Sequence, residues 1–171
     1  MTCDLCGVGL WPAPLLRRPA LYRLVLACGF LCTLSAAAPP DTPYTRTSKL
    51  AAYLSDGEYV GALEAFDKNM TRYGAIAEKI QALSVQTEVL CSIDVVEDKE
   101  ADNDASDVHH LDLDWYMMLK SKTDNSLVER RRQRVAVTFQ RFQVKSGKNS
   151  VGVWRITSLS PEEILAPLTI K

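Results

Sequence analysis

The stretch from Leu111 to Lys120, LDLDWYMMLK, alternates apolar and polar residues with a period of two. Successive side chains of a β-strand point to opposite faces, so this spacing predicts a strand with one buried face. The inner row is the odd-numbered set: Leu111, Leu113, Trp115, Met117 and Leu119. The even-numbered Asp112 and Asp114 are therefore expected on the solvated face.

Three other stretches show the same period, and they predict further strands over Val85–Val95, Leu127–Lys145 and Val151–Ser158. The acidic segment EDKEADNDASD (Glu97 to Asp107) has almost no apolar residues and is typical of a solvated turn between two strands. Ser146–Asn149 has the composition of a tight hairpin turn. Together these features predict an antiparallel sheet of about four strands.

Helical spacing precedes the strands. Leu50 and Leu54 predict a first helix, Tyr59 to Phe66 a second, and Tyr73 to Leu83 a third. Ser55–Glu58 has the pattern of a capping box that would begin the second helix. Ser160–Glu163 predicts one short helical turn after the last strand. The fold class is α+β, with three N-terminal helices gathered on one face of the sheet.

The first 37 residues predict an export leader. Arg17, Arg18 and Arg23 precede the apolar run Leu24–Ala38, which is shorter than the ~20 residues of a transmembrane helix. We expect cleavage near Ala38, no stable membrane span afterwards, and a periplasmic or extracellular location. Lipoprotein anchoring at Cys28 is the alternative, but too few apolar residues separate Cys28 from Arg23.

Residues 38–46 are rich in Pro and Thr and predict a tether, followed by one domain over 47–171. Four of the five cysteines lie in the leader, so Cys91 alone would remain and no intramolecular disulfide is expected. Removal of the leader leaves 17 basic and 20 acidic residues from totals of 20 and 21. That balance gives no general attraction to nucleic acid.

The order of several short motifs resembles the nuclear transport factor two-like superfamily, and more narrowly its exported bacterial members. The motifs are GALEAFD (Gly61 to Asp67), Met70-x-x-Tyr73, Ile80-x-Ala82-Leu83, LDLDWYMML (Leu111 to Leu119), ERRR (Glu129 to Arg132) and WRITSLSP (Trp154 to Pro161). The resemblance implies a strongly curved, cone-shaped sheet around a helix, often a pocket at the open end, and a homodimer formed through the sheet. Relatives include ketosteroid isomerases, dehydratases and polyketide cyclases, and many binding or accessory domains.

Candidate pocket residues are aromatic, thioether or polar side chains on the expected inner faces: Phe66, Asp67, Met70, Tyr73, Trp115, Met117, Arg131, Phe139 and Trp154. Asp67 and Tyr73 are the polar groups expected at the cone mouth. Arg131 shares the parity of inward-facing residues, so it would contact an anionic ligand or form an ion pair. The other interpretation of the apolar members is that they fill the core.

We expect a domain without catalytic activity that binds a small apolar ligand or a partner protein, with no cofactor. The alternative is an isomerase, dehydratase or cyclase-like enzyme that uses a pocket carboxylate with a raised pKa. Strand parity instead pairs Asp112 and Asp114 with arginines on the next strand. The same parity splits the run Arg130–Arg134 across two faces, which argues against a nucleic-acid patch.

No metal site is predicted. His109 and His110 are adjacent on a strand and would point to opposite faces. The acidic segment resembles a calcium loop through Asp98 and Glu100, but Asn103 replaces the turn glycine of such a loop.

Overall fold

The computed structural model describes residues 40–103, 105–147 and 149–169. The predicted leader, including Cys28, lies outside these residues. Three helices, α1 to α3, are followed by four strands, β1 to β4, and a 3-10 turn. Their bounds are Pro43–Ser55, Tyr59–Leu63 and Tyr73–Gln86 for the helices, Thr87–Asp98, Val108–Ser121, Leu127–Ser146 and Asn149–Ser160 for the strands, and Glu163–Leu165 for the turn. The predicted α+β class is confirmed.

The strands form one antiparallel sheet in the order β1-β2-β3-β4, which is also their order in the chain. Every connection is therefore a hairpin. The predicted turn between β3 and β4 is confirmed, because Ser146 pairs with Asn149. Gly147 has a φ of 61°, a backbone conformation that glycine adopts without a steric penalty.

The alternation on β2 is confirmed. All five odd-numbered residues from Leu111 to Leu119 are at most 1% exposed, whereas Asp112, Asp114, Tyr116 and Met118 are partly exposed. We call the side of the sheet that carries these even-numbered residues the outer face. Trp115 stands opposite Ile93 on β1 and Gln133 on β3, so β2 is paired on both sides.

The helices contribute to the same core as the inner row of β2. Leu50 and Leu54 of α1 join Ile76, Ile80 and Leu83 of α3 in one buried cluster with the sheet residues. These helical residues are spaced by three or four positions, which places them on one stripe of each helix. Burial of this stripe stabilises helices that are short by themselves.

The first helix overlaps the segment predicted as a tether. Helix α1 begins at Pro43, inside the segment predicted as a tether and ahead of the predicted domain start at Thr47. Thr42 and Thr45 form a capping box, and Pro43 occupies the first helical turn, where its fixed φ and missing N–H carry no penalty. The Pro/Thr-rich stretch therefore includes the start of this helix.

The predicted capping box at Ser55–Glu58 is not formed. Ser55 is the last residue of α1, and its hydroxyl donates to the carbonyl of Ala51 at 2.9 Å and accepts the N–H of Cys91 at 3.0 Å. Helix α2 starts without a side-chain cap and ends at Leu63, so Phe66 lies beyond it. The turn at Glu163–Leu165 is confirmed, but Ser160 ends β4 and does not cap it.

Two neighbouring methionines test the two faces of β2 directly. Met117 is fully buried and Met118 is partly exposed on the outer face. We expect Met117→Ala to lower the free energy of unfolding by ~2–5 kcal/mol, because it leaves a cavity in the core. Met118→Ala is the matched control and should cost about 1 kcal/mol or less. Denaturant titration measures both, and equal losses would contradict the assigned faces.

Candidate functional site

The predicted pocket residues lie mainly in the core. Phe66, Trp115, Met117, Phe139 and Trp154 are buried members of the hydrophobic cluster, and Met70 and Tyr73 pack against it while partly buried. Phe66 also borders a surface cleft of about 310 Å³ with Arg46, Glu64, Lys68, Val153 and Arg155. Arg131 borders a separate cleft of about 870 Å³ near the C-terminal segment. A ligand pocket formed by the whole set remains a prediction.

The backbone of Asp67 joins the segment after α2 to the edge of β4 that faces away from β3. Its N–H donates to the carbonyl of Ile156 at 2.8 Å, and the N–H of Ile156 donates to the carbonyl of Ala65 at 2.7 Å. The carboxylate of Asp67 accepts a long hydrogen bond of 3.4 Å from the side chain of Asn69. Asp67 is itself buried. Its backbone bonds hold this loop against the sheet.

Arg131 forms an ion pair, which is one of the two roles predicted for it. Its guanidinium donates two hydrogen bonds to the carboxylate of Glu129, at 3.0 and 2.8 Å. The remaining terminal nitrogen donates to the carbonyl of Ile164 at 3.1 Å and to that of Ala166. Because all three nitrogens are engaged, Arg131 binds the C-terminal segment along the wall of its cleft.

Of the two outer aspartates, Asp114 pairs with an arginine as strand parity predicts, whereas Asp112 stands opposite Ala136. Asp114 accepts hydrogen bonds from Arg132 at 2.6 to 3.2 Å, and Arg134 stands directly opposite it on β3. The hydrogen bond from Arg132 lowers the pKa of Asp114. This shift keeps the carboxylate ionised, which is the opposite of what a proton-donating pocket carboxylate requires.

The densest group of polar side chains lies beside the turn between β1 and β2. The carboxylate of Asp98 accepts from the hydroxyl of Tyr44 at 2.8 Å and lies 3.0 Å from Nδ1 of His109. Glu100 accepts the backbone N–H of His110 at 2.6 Å and lies 2.8 Å from its Nδ1. We call these five residues the hairpin brace, since they tie α1 and the turn to β2.

The two histidines point apart as predicted, since His109 is buried and His110 is exposed. Each histidine nevertheless contacts a carboxylate: His109 contacts Asp98, and His110 contacts Glu100. The sequence prediction missed these pairs, although one signal was present. A hairpin that leaves β1 at Asp98 and enters β2 near His109 brings acidic residues at the end of one strand beside imidazoles at the start of the next.

The hairpin brace contains donors that a cation can use. Carboxylate oxygens of Asp98 and Glu100 and a ring nitrogen of His109 lie within 4.8 Å of one another. Carboxylate and imidazole together suit zinc. Nδ1 of His109 and both oxygens of each carboxylate already take part in hydrogen bonds, so hydrogen bonding accounts for the arrangement without a metal.

Burial and hydrogen bonding compete at Asp98. Its side chain is 3% exposed, and burial alone would raise its pKa. Hydrogen bonds from Tyr44, His109 and the N–H of Glu100 outweigh burial and lower the pKa below its usual value. The pKa of Glu100 is also lowered, mainly by the backbone N–H of His110. Both carboxylates are therefore charged in the folded state at neutral pH.

Comparisons with known proteins identify no family. No family model matches the chain, and no curated protein matches it. Among solved structures, a SEC-C motif containing protein from Psychrobacter arcticus is similar, with a TM-score of 0.48 and 12% sequence identity. The match covers 81% of this chain and 68% of that chain. Similarity at this level carries no argument about function. Within residues 40–169, as far as they are described, no helix is long and apolar enough to span a bilayer.

The hairpin brace predicts how stability depends on pH. The folded pKa of Asp98 is lowered, so its contribution is present above the unfolded pKa and is lost as pH falls through the folded pKa. We expect the free energy of unfolding to fall below about pH 5. Asp98→Asn should flatten this dependence, and Asn103→Ala on the same turn, which removes no titrating group, should leave it unchanged. Denaturant titrations at several pH values measure the slopes, and an unchanged slope in Asp98→Asn would contradict the role of the brace.

Proposed function

We propose that the chain is an exported protein-interaction domain without catalytic activity. The observation that carries the proposal is the contrast between the two faces of the sheet. The inner residues of β2 are buried in one cluster with helix residues, while the outer face exposes Leu90 and leaves Tyr116 and Met118 partly exposed. Leu90 stands directly opposite Met118, so these side chains adjoin across two strands. Apolar side chains ringed by charged ones are typical of a protein interface.

The order of elements supports membership of the nuclear transport factor two-like superfamily. Three helices precede four long antiparallel strands, as the resemblance implies. The cone shape belongs to this proposal as well. Irregularities of register occur at Val95/Glu97, Leu119/Lys120 and Thr138/Phe139. Such bulges bend strands and increase their twist, which would help the sheet to curve around the helices.

The leader supports export to the periplasm or beyond. Cys91 is compatible with an oxidising compartment, because burial raises the pKa of its thiol to about 12 and leaves almost no reactive thiolate. Nε1 of Trp115 donates to this sulfur at 3.2 Å. The thiol therefore acts as a packed core group.

Two carboxylates, those of Asp98 and Asp114, support binding in preference to catalysis. An isomerase-like mechanism needs a pocket carboxylate with a raised pKa. The pKa values of Asp98 and Asp114 are lowered instead. A small apolar ligand would need an apolar cavity, and the cleft of about 590 Å³ beside the start of β1 is lined by Lys120, Lys122 and Glu88 among other residues. Its charged lining favours a polar surface over an apolar ligand site.

The partner that suits the outer face best is a second copy of the chain. A two-fold axis between the protomers and parallel to β2 would pack Tyr116 and Met118 of one protomer against the same two residues of the other. Such an interface uses one patch twice and closes at two subunits. The resemblance to a superfamily in which sheet-mediated dimers are common also supports this arrangement.

A charge placed at the centre of this patch should separate the protomers. We expect the wild-type chain to elute as a dimer in size-exclusion chromatography with light scattering, and Leu90→Glu or Met118→Glu to shift the mass to that of a monomer. Val151→Glu is the control, since Val151 is equally exposed but lies at the β3–β4 hairpin. A wild-type monomer at every concentration, or dimeric glutamate variants at the patch, would contradict the interface.

A further inference from the structure

Hydrogen bonds to other segments occupy part of both outer edges of the sheet. At the edge of β1, the hydroxyl of Ser55 accepts the N–H of Cys91. At the edge of β4, Ile156 bonds to Ala65 and Asp67, and the N–H of Trp154 donates to the carboxylate of Asp41 at 2.9 Å. An edge group that is bound in this way is not available to pair with another strand.

A third edge is open. Strand β3 pairs with β2 from Leu127 onwards, but its pairing with β4 begins only at Ala136. In the part of the chain that the structure describes, no strand pairs with Leu127–Val135 on the side away from β2. About half of these residues must point their N–H and C=O groups to that side, because the direction alternates along an antiparallel ladder.

The open edge borders a preformed groove. The cleft of about 870 Å³ lies between Glu129–Gln133 of β3 and the segment from Glu163 to Thr169. Arg131 holds this segment through the carbonyls of Ile164 and Ala166. The N–H of Leu168 is bound by the side chain of Gln86 at 2.7 Å. These bonds fix the far wall of the groove and leave the strand edge uncovered.

The charge of this strand edge indicates which kind of segment would bind to it. Leu127–Val135, LVERRRQRV, contains four arginines and one glutamate, a formal charge of +3. Arg130 and Arg134 are exposed, and Arg130 forms no hydrogen bond or ion pair with any described residue. A second copy pairing here would place arginines opposite arginines, which is destabilising. An acidic strand would instead be attracted.

We propose that this edge binds an acidic, extended segment of a partner protein, which adds as a strand beside Leu127–Val135. Backbone hydrogen bonds would hold the segment, and Arg130 and Arg134 would select acidic side chains on its outer face. The open edge has nine residues, so an extended segment of about nine residues, about 30 Å long, would cover it. The inference rests on the proposed role in protein interaction but uses a surface separate from the dimer patch.

The probe is a ten-residue peptide of alternating glutamate and threonine, and its binding to the full chain is measured by calorimetry. We expect measurable binding that weakens with salt. Arg130→Glu and Arg134→Glu should each weaken it at least about tenfold. Arg141→Glu is the matched control, since Arg141 is exposed on the same strand where β4 already covers the edge. It should bind the peptide as the wild type does.

Two control peptides separate strand addition from simple charge attraction. A lysine–threonine peptide should not bind, and a glutamate–proline peptide should bind at least about tenfold more weakly, because proline lacks the N–H that a strand donates. Equal binding of the proline peptide, or no binding of the glutamate–threonine peptide, would overturn the proposal. If the protein is a dimer but does not bind the peptide, only the proposed strand-binding edge is refuted. If the protein is a monomer that binds the peptide, only the proposed dimer is refuted.

Discussion

The whole domain depends on the alternation of side chains along β2. This strand is paired on both sides, so its register sets the positions of β1 and β3 together. A slip of one residue would bring Asp112 and Asp114 into the core and move Trp115 to solvent. The inner row also belongs to the same buried cluster as the apolar residues of α1 and α3. Helix packing, the outer patch and the ion pair between Asp114 and Arg132 all follow from this one arrangement.

The strands were predictable because their signal is local. A period of two, interrupted by an acidic turn and a glycine-containing turn, is enough to locate all four strands to within a few residues. Helix ends were harder, because the same residues can cap a helix or bond elsewhere. Thr42 and Thr45 cap α1 in a segment whose composition suggested a tether. Ser55 had the pattern of a cap, but it bonds to Cys91, a strand residue that is distant in sequence.

The candidate site was less predictable, because it depends on register and long-range contacts. Parity placed Arg131 on the inner side correctly, yet only the folded chain brings Ile164 and Ala166 to its guanidinium. Parity also separated His109 from His110, but it could not show that each faces a carboxylate across the turn. Aromatic residues such as Trp115 and Phe139 fit a core and a pocket equally well in sequence, and their burial favours the core role.

Strand β2 should be the best-protected strand, and the first half of β3 should be an open edge. Amide hydrogen exchange measured residue by residue tests this directly, since exchange reports local opening and unpaired N–H groups. We expect slow exchange of the amides along Leu111–Leu119. Along Leu127–Val135, fast and slow amides should alternate, whereas the amides from Ala136 to Phe142 should all exchange slowly. Uniform protection along β3, or fast exchange of the Trp115 amide, would contradict the account.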